Sequence, residues 1–394
     1  QDLAIAPTPP GSRKVVLATS IAETSLTIEG IRVVIDSGFM RIPRFDPGSG
    51  LTRLDTIRIT QDSADQRRGR AGRTEPGVCY RLWTPTDQQS LLPRRTPEIL
   101  EADLSTLLLE LAVWGTPDPS ELAWLDPPPS GAIASSRKLL VELEAVNLQG
   151  HITPHGQQMA ELPLHPRLAH MVLHSLSYGM GDMAFDLAAL LNERDFLRGP
   201  IGNRQSDLRL RLDTIRNNGE SSGQSTIDPG GIRRIRQHAQ QWRDRLGVVT
   251  STQKKPAQKF DHSIGALLAL AYPDRIAQRV PDHRTRYRLT NGRGAQVAPS
   301  DPLSAEEYLV IAELDGLTPW ANIFLAAPIS LTDLESVCGD LFQEHDFVSW
   351  DIRKERVSAR KQQRLGELIL QDRPIRNPDA SLILLALLKG VRKK

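Results

Sequence analysis

Cysteine is nearly missing from this chain: Cys79 and Cys338 are the only two in 394 residues. Two thiols so far apart exclude a disulfide-stapled scaffold and a cysteine-based zinc site. Long hydrophobic runs are missing too. No apolar stretch approaches the roughly 18 residues that a membrane-spanning helix needs, and no leader pattern opens the chain, so the expected location is the cytoplasm. A charge imbalance is also absent. The formal net charge is only +2, so bulk charge selects no partner. No internal repeat is present. The first residue is Gln1 rather than Met, which gives the expectation that this segment begins inside a longer protein.

What is there is the composition of a soluble globular chain, 39% hydrophobic and 24% charged. The length exceeds one ordinary core and predicts roughly two to four domains. Charge is local. Residues 41–73 hold eight Arg against four Asp, residues 204–245 nine Arg against five acids, and residues 351–364 six Lys or Arg against two acids. Such segments are either patches that meet anions or solvated faces.

Val15-Val16-Leu17-Ala18 is a short apolar run that predicts a strand buried on both faces, and Ile31 to Asp36 predicts a second. The ten or so residues between them allow one crossover helix, hence a βαβ unit and a parallel α/β sheet. Residues 42–59 alternate around Asp46-Pro47-Gly48-Ser49-Gly50, a hairpin pattern. Leu104, Leu107, Leu108 and Leu111 share one helical face. Ser135 or Ser136 is the expected cap of the next helix, and residues 150–154 a short β wing, which together suggest a winged-helix module. Residues 156–246 read as mostly helical, broken by a Gly/Ser/Asn-rich loop at 217–231. A polar linker at 251–259 precedes mixed short strands and helices, with Asn291-Gly292 marking a tight hairpin and residues 380–392 a last helix.

The densest feature is Asp65-Gln66-Arg67-Arg68-Gly69-Arg70-Ala71-Gly72-Arg73. On one helix, Gln66, Arg70 and Arg73 share a face, while Arg67 and Arg68 turn elsewhere. A Gln and two arginines aimed one way suit a polyanion such as a triphosphate, because the planar guanidinium fork binds phosphate oxygens in pairs. A second cluster follows the first predicted strand: Thr19, Ser20, Thr24, Ser25 and Thr27. Ligands bind at that edge of open α/β sheets, and hydroxyls there can hold a nucleic-acid backbone without reading bases. Plain helix capping accounts for one or two of the five.

These stretches resemble motifs V and VI of the DEAH-box RNA helicases of superfamily 2. The resemblance rests on residues 17–28 (LATSIAETSLTI), 33–38 (VVIDSG) and 63–73 (SADQRRGRAGR), in the family's order. Residues 139–147, 152–175 and 265–279 are similar to the family's winged-helix and ratchet regions and then to its bacterial HrpB branch, as is the stretch 350–370. The implied fold is an α/β RecA-like lobe with a parallel sheet, followed by winged-helix, helical ratchet-like and mixed α+β C-terminal domains. The implied boundaries are 1–84, 85–155, 156–250 and 251–394.

The resemblance implies an ATP-dependent RNA helicase. Gln66, Arg70 and Arg73 would face the nucleotide phosphates, with Arg70 or Arg73 as the arginine finger. Glu29 would lie near the ribose. Thr19, Ser20 and Thr27 would touch the RNA backbone, and the hairpin at 41–59 would separate strands or track the RNA. Arg68 departs from the family, where Ala is common. Arg233, Arg234 and Arg236, with Arg204, Arg209 and Arg211, would line an RNA channel or else cover a solvated helix face. ATP and Mg²⁺ are the implied cofactors. Yet the chain has no G-x-x-x-x-G-K-[ST] and no DEAH tetrad, so it is expected to hold half of an ATP site and to be inactive alone.

No metal set is expected: His151 with His155, and Asp182 with Asp186, are spaced four apart without a further ligand nearby in sequence. Trp114, Trp124, Trp242 and Trp350 are expected to pack in cores rather than stack on bases. The rival reading is a non-hydrolysing nucleic-acid-binding or adaptor protein with a degenerate helicase lobe. DNA in place of RNA is a third.

Overall fold

The computed structural model describes residues 5–6, 11–24, 28–46, 51–73, 75–198, 205–217, 226–247, 263–316, 319–351 and 356–391. The hairpin tip at 47–50, Ser25, Thr27, Arg204, the linker at 251–259 and most of the 217–231 loop lie outside them. The chain divides into two compact units, Gln1–Leu139 and Leu140–Lys394.

In the first unit, a short helix α1 (Ile21–Thr24) precedes strand β1 (Val33–Asp36). The antiparallel hairpin of β2 (Phe39–Asp46) and β3 (Leu51–Arg58) then forms in the expected place, paired from Phe39↔Arg58 to Asp46↔Leu51. Helix α2 (Gln61–Arg68) carries the chain to β4 (Val78–Arg81), which pairs with β1 in parallel, Val33 opposite Val78. The parallel crossover is thus β1–α2–β4, not one that starts from residues 15–18. Val15 and Leu17 are 88% and 97% exposed and form no strand. A doubly buried strand needs a sheet neighbour and a layer on each face, and the two-stranded β1–β4 sheet offers residues 15–18 no pairing.

The core beneath the hairpin joins Met40, Ile42, Ile59, Ala64 and Leu91, with Ile57 and Trp83 packed against it. Gly38, at φ +80°, is needed there, since a Cβ would sit 2.9 Å from the Trp83 ring. Helix α3 (Pro85–Ser90) is closed by a capping box between Thr84 and Asp87. Helix α4 (Ser105–Trp114) buries Leu108, Leu109, Leu111 and Ala112 and ends on Gly115 in the left-handed region.

Helix α5 (Ser130–Glu142) begins directly after the proline run. Ser135 and Ser136 therefore lie inside the helix rather than at its cap. The prolines lack the N–H a helix interior needs, so the first turn forms as soon as they end. The helix closes in a Schellman-type turn: Ala145 N–H reaches the Leu140 carbonyl at 2.8 Å, and Glu144 takes φ +56°. The expected wing is a single bridge between Val146 and Ile152.

The second unit continues with α6 (Pro154–Ala160), α7 (Pro166–Ser177), α8 (Gly181–Asn192), α9 (Leu208–Arg216) and α10 (Pro229–Arg245), with the short pair β5 (Leu197–Arg198) and β6 (Thr226–Ile227) between them. Helix α11 (Ser263–Ala271) is buried throughout from Gly265 to Ala271. It lies so close to the following sheet that a Cβ on Gly265 would sit 2.0 Å from the Pro328 carbonyl. Strands β7 (Ile276–Arg279), β8 (Arg286–Leu289), β9 (Gly294–Gln296), β10 (Tyr308–Leu314) and β11 (Trp320–Pro328) close into a barrel. Its order, with β9 and β11 parallel and β10 returning to β7, is that of a five-stranded Greek-key barrel of the OB type. The expected mixed α+β region is therefore more specific than its short elements suggested. The Asn291-Gly292 turn joins β8 to β9 as expected. Beyond the barrel, helix α12 (Leu331–Cys338) leads to the antiparallel sheet β12 (Gln343–Asp351), β13 (Arg356–Leu365) and β14 (Leu368–Pro374). Helix α13 (Ala380–Val391) packs on it, Gly390 against the Trp350 ring.

Candidate nucleotide-facing arginine surface

The site is built on a buried ion cluster at the carboxyl end of β1. Asp36 closes β1 and its side chain is 0% exposed. Glu23, on α1, is buried beside it. Arg67 comes from α2 and spans both: its Nε donates to Glu23 Oε1 at 2.6 Å and its NH1 to Asp36 Oδ1 at 2.7 Å. NH1 also lies 3.2 Å from the Phe39 carbonyl, and Ser63 Oγ donates to Glu23 Oε2 at 3.2 Å. Burial lowers the proton affinity of the Arg67 guanidinium, but the two carboxylates outweigh it and raise its pKa. One arginine thus pins α1 to the end of the parallel strand.

Helix α2 stops at Arg68, and residues 69–72 continue as turns, with Arg70 N–H on the Arg67 carbonyl and Ala71 N–H on the Arg68 carbonyl, both at 3.1 Å. Gln66, Arg70 and Arg73 are therefore not on one helix. Gly69 and Gly72 flank the turn, and glycine is the poorest helix continuer after proline. The turn is seated by Gly77, where a Cβ would fall 1.8 Å from the Ala71 carbonyl.

Arg70 and Arg73 lie close enough for the charge of one to act on the other. Partial burial and the Arg73 charge hold the Arg70 guanidinium below its ordinary pKa, against the pull of Glu23. Arg70 NH2 rests on the Glu23 carbonyl. Gln66 and Arg73 are exposed and Arg70 half-buried. Arg67 turns inward, as its place on α2 predicts. Arg68 stays out, 3.5 Å from Asp65, which also accepts from Arg81 NH2 at 2.7 Å.

On the neighbouring loop, Ala22 and Glu23 donate to the Thr19 and Ser20 carbonyls at 3.1 and 2.9 Å, which opens α1. Thr19 and Glu29 are exposed and Ser20 is half-buried, while Thr27 lies outside the described residues.

The second arginine group separates. Arg233 and Arg234 are exposed on α10, Arg234 lying 3.6 Å from Glu193. Arg236 turns onto the Ile215 carbonyl at the end of α9, its Nε at 2.9 Å. Arg211 is 2% exposed and bound to Asp195 at 2.8 Å, so it cannot line a channel. It sits on the buried face of an amphipathic helix, where a cation persists only when paired. Arg209 is held by Asp207 at 2.7 Å. Among the tryptophans, Trp242 is buried as expected, but Trp114 is largely exposed.

Sequence reasoning missed Glu23 and Asp36 as partners of Arg67. The signal available was an acid directly after an apolar strand and another inside a hydroxyl-rich run. It also missed Arg167 and Asp274 in the second unit, a part-buried bidentate pair at 2.6 and 3.0 Å that joins α7 to the turn before β7. Their separation in sequence hides that contact.

Residues 1–75 match the helicase conserved C-terminal domain, and residues 136–164 match the winged-helix part of the helicase-associated domain HA2. The chain belongs to the DEAH-box helicases. Residues 341–375 match the connector region of the ATP-dependent RNA helicase HrpB. The chain is 38% identical over its whole length to the ATP-dependent RNA helicase HrpB of Escherichia coli, spanning 45% of that protein. A crystal structure of the Escherichia coli DEAH/RHA helicase HrpB superposes at TM-score 0.78 with 36% identity, over all of this chain and 46% of that one. The pre-mRNA-splicing factor ATP-dependent RNA helicase prp22 of Schizosaccharomyces pombe is 40% identical over 206 residues, 52% of this chain and 18% of that protein. Within the family the chain is of the HrpB type, and it spans under half the length of the HrpB relative.

Proposed function

We propose that this chain supplies the second half of an ATP site, together with RNA-binding domains, to a cytoplasmic ATP-dependent RNA helicase. The observation that carries the reading is the placement of Arg70 and Arg73 on one turn beside the cluster of Arg67, Glu23 and Asp36. Arg73 is exposed, so its guanidinium is placed to meet an incoming anion. Two guanidinium groups that repel each other gain most from a polyanion between them, and a triphosphate has the oxygens to bridge both. Arg73 or Arg70 acts as the arginine finger on the transferring phosphoryl group, and Gln66 orients beside it. Glu29 lies toward the ribose. Thr19, Ser20 and Thr27 meet the RNA backbone, which carries no base preference.

The chain has neither a P-loop nor a DEAH tetrad. It supplies guanidinium charge, while the Mg²⁺ that travels with ATP needs acids from another lobe. The proposed working divisions are 1–84 for the helicase lobe, 85–155 for the winged helix, 156–250 for the ratchet and 251–394 for the C-terminal region. Grafting the chain onto the preceding part of the Escherichia coli relative tests the function. The chimera is expected to separate a tailed RNA duplex only when ATP is present. Duplex binding without any ATP-dependent separation would favour the non-hydrolysing adaptor.

A further inference from the structure

Three histidines from two helices meet in the second unit. His155 is the second residue of α6. His170 and His174 lie one turn apart on α7, the i, i+4 spacing that puts two imidazoles on one face. One ring nitrogen from each lies within 4.8 Å of the other two. His155 Nε2 is 3.0 Å from His170 Nδ1, and the ring centroids of His170 and His174 are 4.3 Å apart. A tetrahedral ion with bonds of about 2.0–2.1 Å holds its nitrogen ligands about 3.3 Å apart, so small side-chain rotations bring the set to bonding distance.

Two further features fit a cation. His170 Nδ1 faces the Leu143 carbonyl at 2.9 Å, a backbone partner that would fix the ring and leave Nε2 as the ligating nitrogen. Glu144 occupies a left-handed helix-end position at φ +56°, where glycine is the usual residue. Its carboxylate lies 4.0 Å from His174 Nε2, within reach as a fourth ligand.

We propose that His155, His170 and His174, with Glu144 as the fourth ligand, bind one zinc-class divalent cation and so tie the end of α5 to α6 and α7. Imidazole nitrogens with one carboxylate suit Zn²⁺ and its tetrahedral substitute Co²⁺, whereas Mg²⁺ and Ca²⁺ prefer oxygen ligands. The expectation that no ligand set exists looked only to sequence neighbours. His151 is exposed and outside the cluster, while the partners of His155 come from the next helix.

The test is a Co²⁺ titration of the tag-free, chelator-treated full chain, read by visible absorption, with Zn²⁺ as competitor. The expected result is about one equivalent of tetrahedral Co²⁺, displaced by Zn²⁺. His174→Gln and Glu144→Gln alter half-buried or exposed side chains and so preserve the fold, which the far-ultraviolet spectrum checks. His174→Gln should weaken binding by about 100-fold or more and Glu144→Gln by about 10-fold. The control His151→Gln should bind as the parent does. Absence of a tetrahedral spectrum, or equal binding by His174→Gln and the parent, would overturn the site and leave a packed imidazole stack.

Discussion

Replacing Arg67 by Met should cost the first unit far more than its place in an arginine-rich stretch suggests. The side chain is only 16% exposed, and its two partners are more deeply buried still. Without the guanidinium, Asp36 keeps one hydrogen bond, from the Gly38 amide at 3.0 Å, and Glu23 keeps the Ser63 hydroxyl. Removing one partner of a buried ion pair costs about 3–5 kcal/mol, because the remaining charge stays desolvated. That is a large share of the roughly 5–15 kcal/mol that holds a domain together. Arg67→Lys should recover little, since one ammonium cannot reproduce a fork that reaches two carboxylates and a carbonyl. Arg68→Ala provides the contrast: its ion pair with Asp65 is exposed on both sides and should cost less than about 1 kcal/mol. Urea unfolding at pH 7.5 measures all three. A loss no larger than that of Arg68→Ala would refute the reasoning.

Gly77→Ala should destabilise the first unit by about 2–3 kcal/mol in a thermal melt, because its Cβ meets the Ala71 and Arg32 backbones, which have no flexible end to move. In the second unit, burial opposes ionisation of Asp274, but Arg167 and Arg275 outweigh it and hold its carboxyl below the ordinary carboxylate range. Its folded pKa lies below its unfolded one, so the stability it gives is present above about pH 4 and lost as acid protonates it. Asp274→Asn should flatten that part of an acid-unfolding curve. The two exposed arginines of α10 and their inward neighbour should behave differently. Arg233→Ala with Arg234→Ala should reduce the magnitude of the slope of log affinity against log salt for single-stranded RNA by about 1.4. Arg236→Ala should instead lower the melting temperature, since its guanidinium holds the Ile215 carbonyl.

The parts of the fold that were legible were those fixed by local chemistry. Asp-Pro-Gly and Asn-Gly turns placed two hairpins, and leucine periodicity placed α4. The first strand failed because an apolar run states only that it can be buried, not that a neighbouring strand covers it. Val15 and Leu17 remain in solvent for that reason. The helix assumed to carry Gln66, Arg70 and Arg73 failed at Gly69, where two glycines in four residues weaken helix continuation. Even so, Arg70 and Arg73 lie close enough for the charge of one to act on the other, on a turn whose Ala71 carbonyl packs against Gly77. What periodicity could not reveal were the long-range pairings. Arg67 with Asp36, Arg167 with Asp274 and His155 with α7 depend on tertiary contacts between elements whose separate patterns look ordinary. Arg211 shows the opposite error: a cation in a basic segment was read as surface when Asp195 holds it inside.

The central claim is that the turn bearing Arg70 and Arg73 docks the phosphates of a nucleoside triphosphate. Its most direct test is RNA-stimulated ATP hydrolysis by the grafted chimera, with Arg73→Ala and Arg70→Ala compared at saturating ATP and RNA. An arginine finger supplies about 10³–10⁵ in rate, so at least one of the two should lose about 10³ in kcat while RNA affinity and melting temperature hold. Both variants turning over within about threefold of the parent, less than 1 kcal/mol of barrier, would contradict the account.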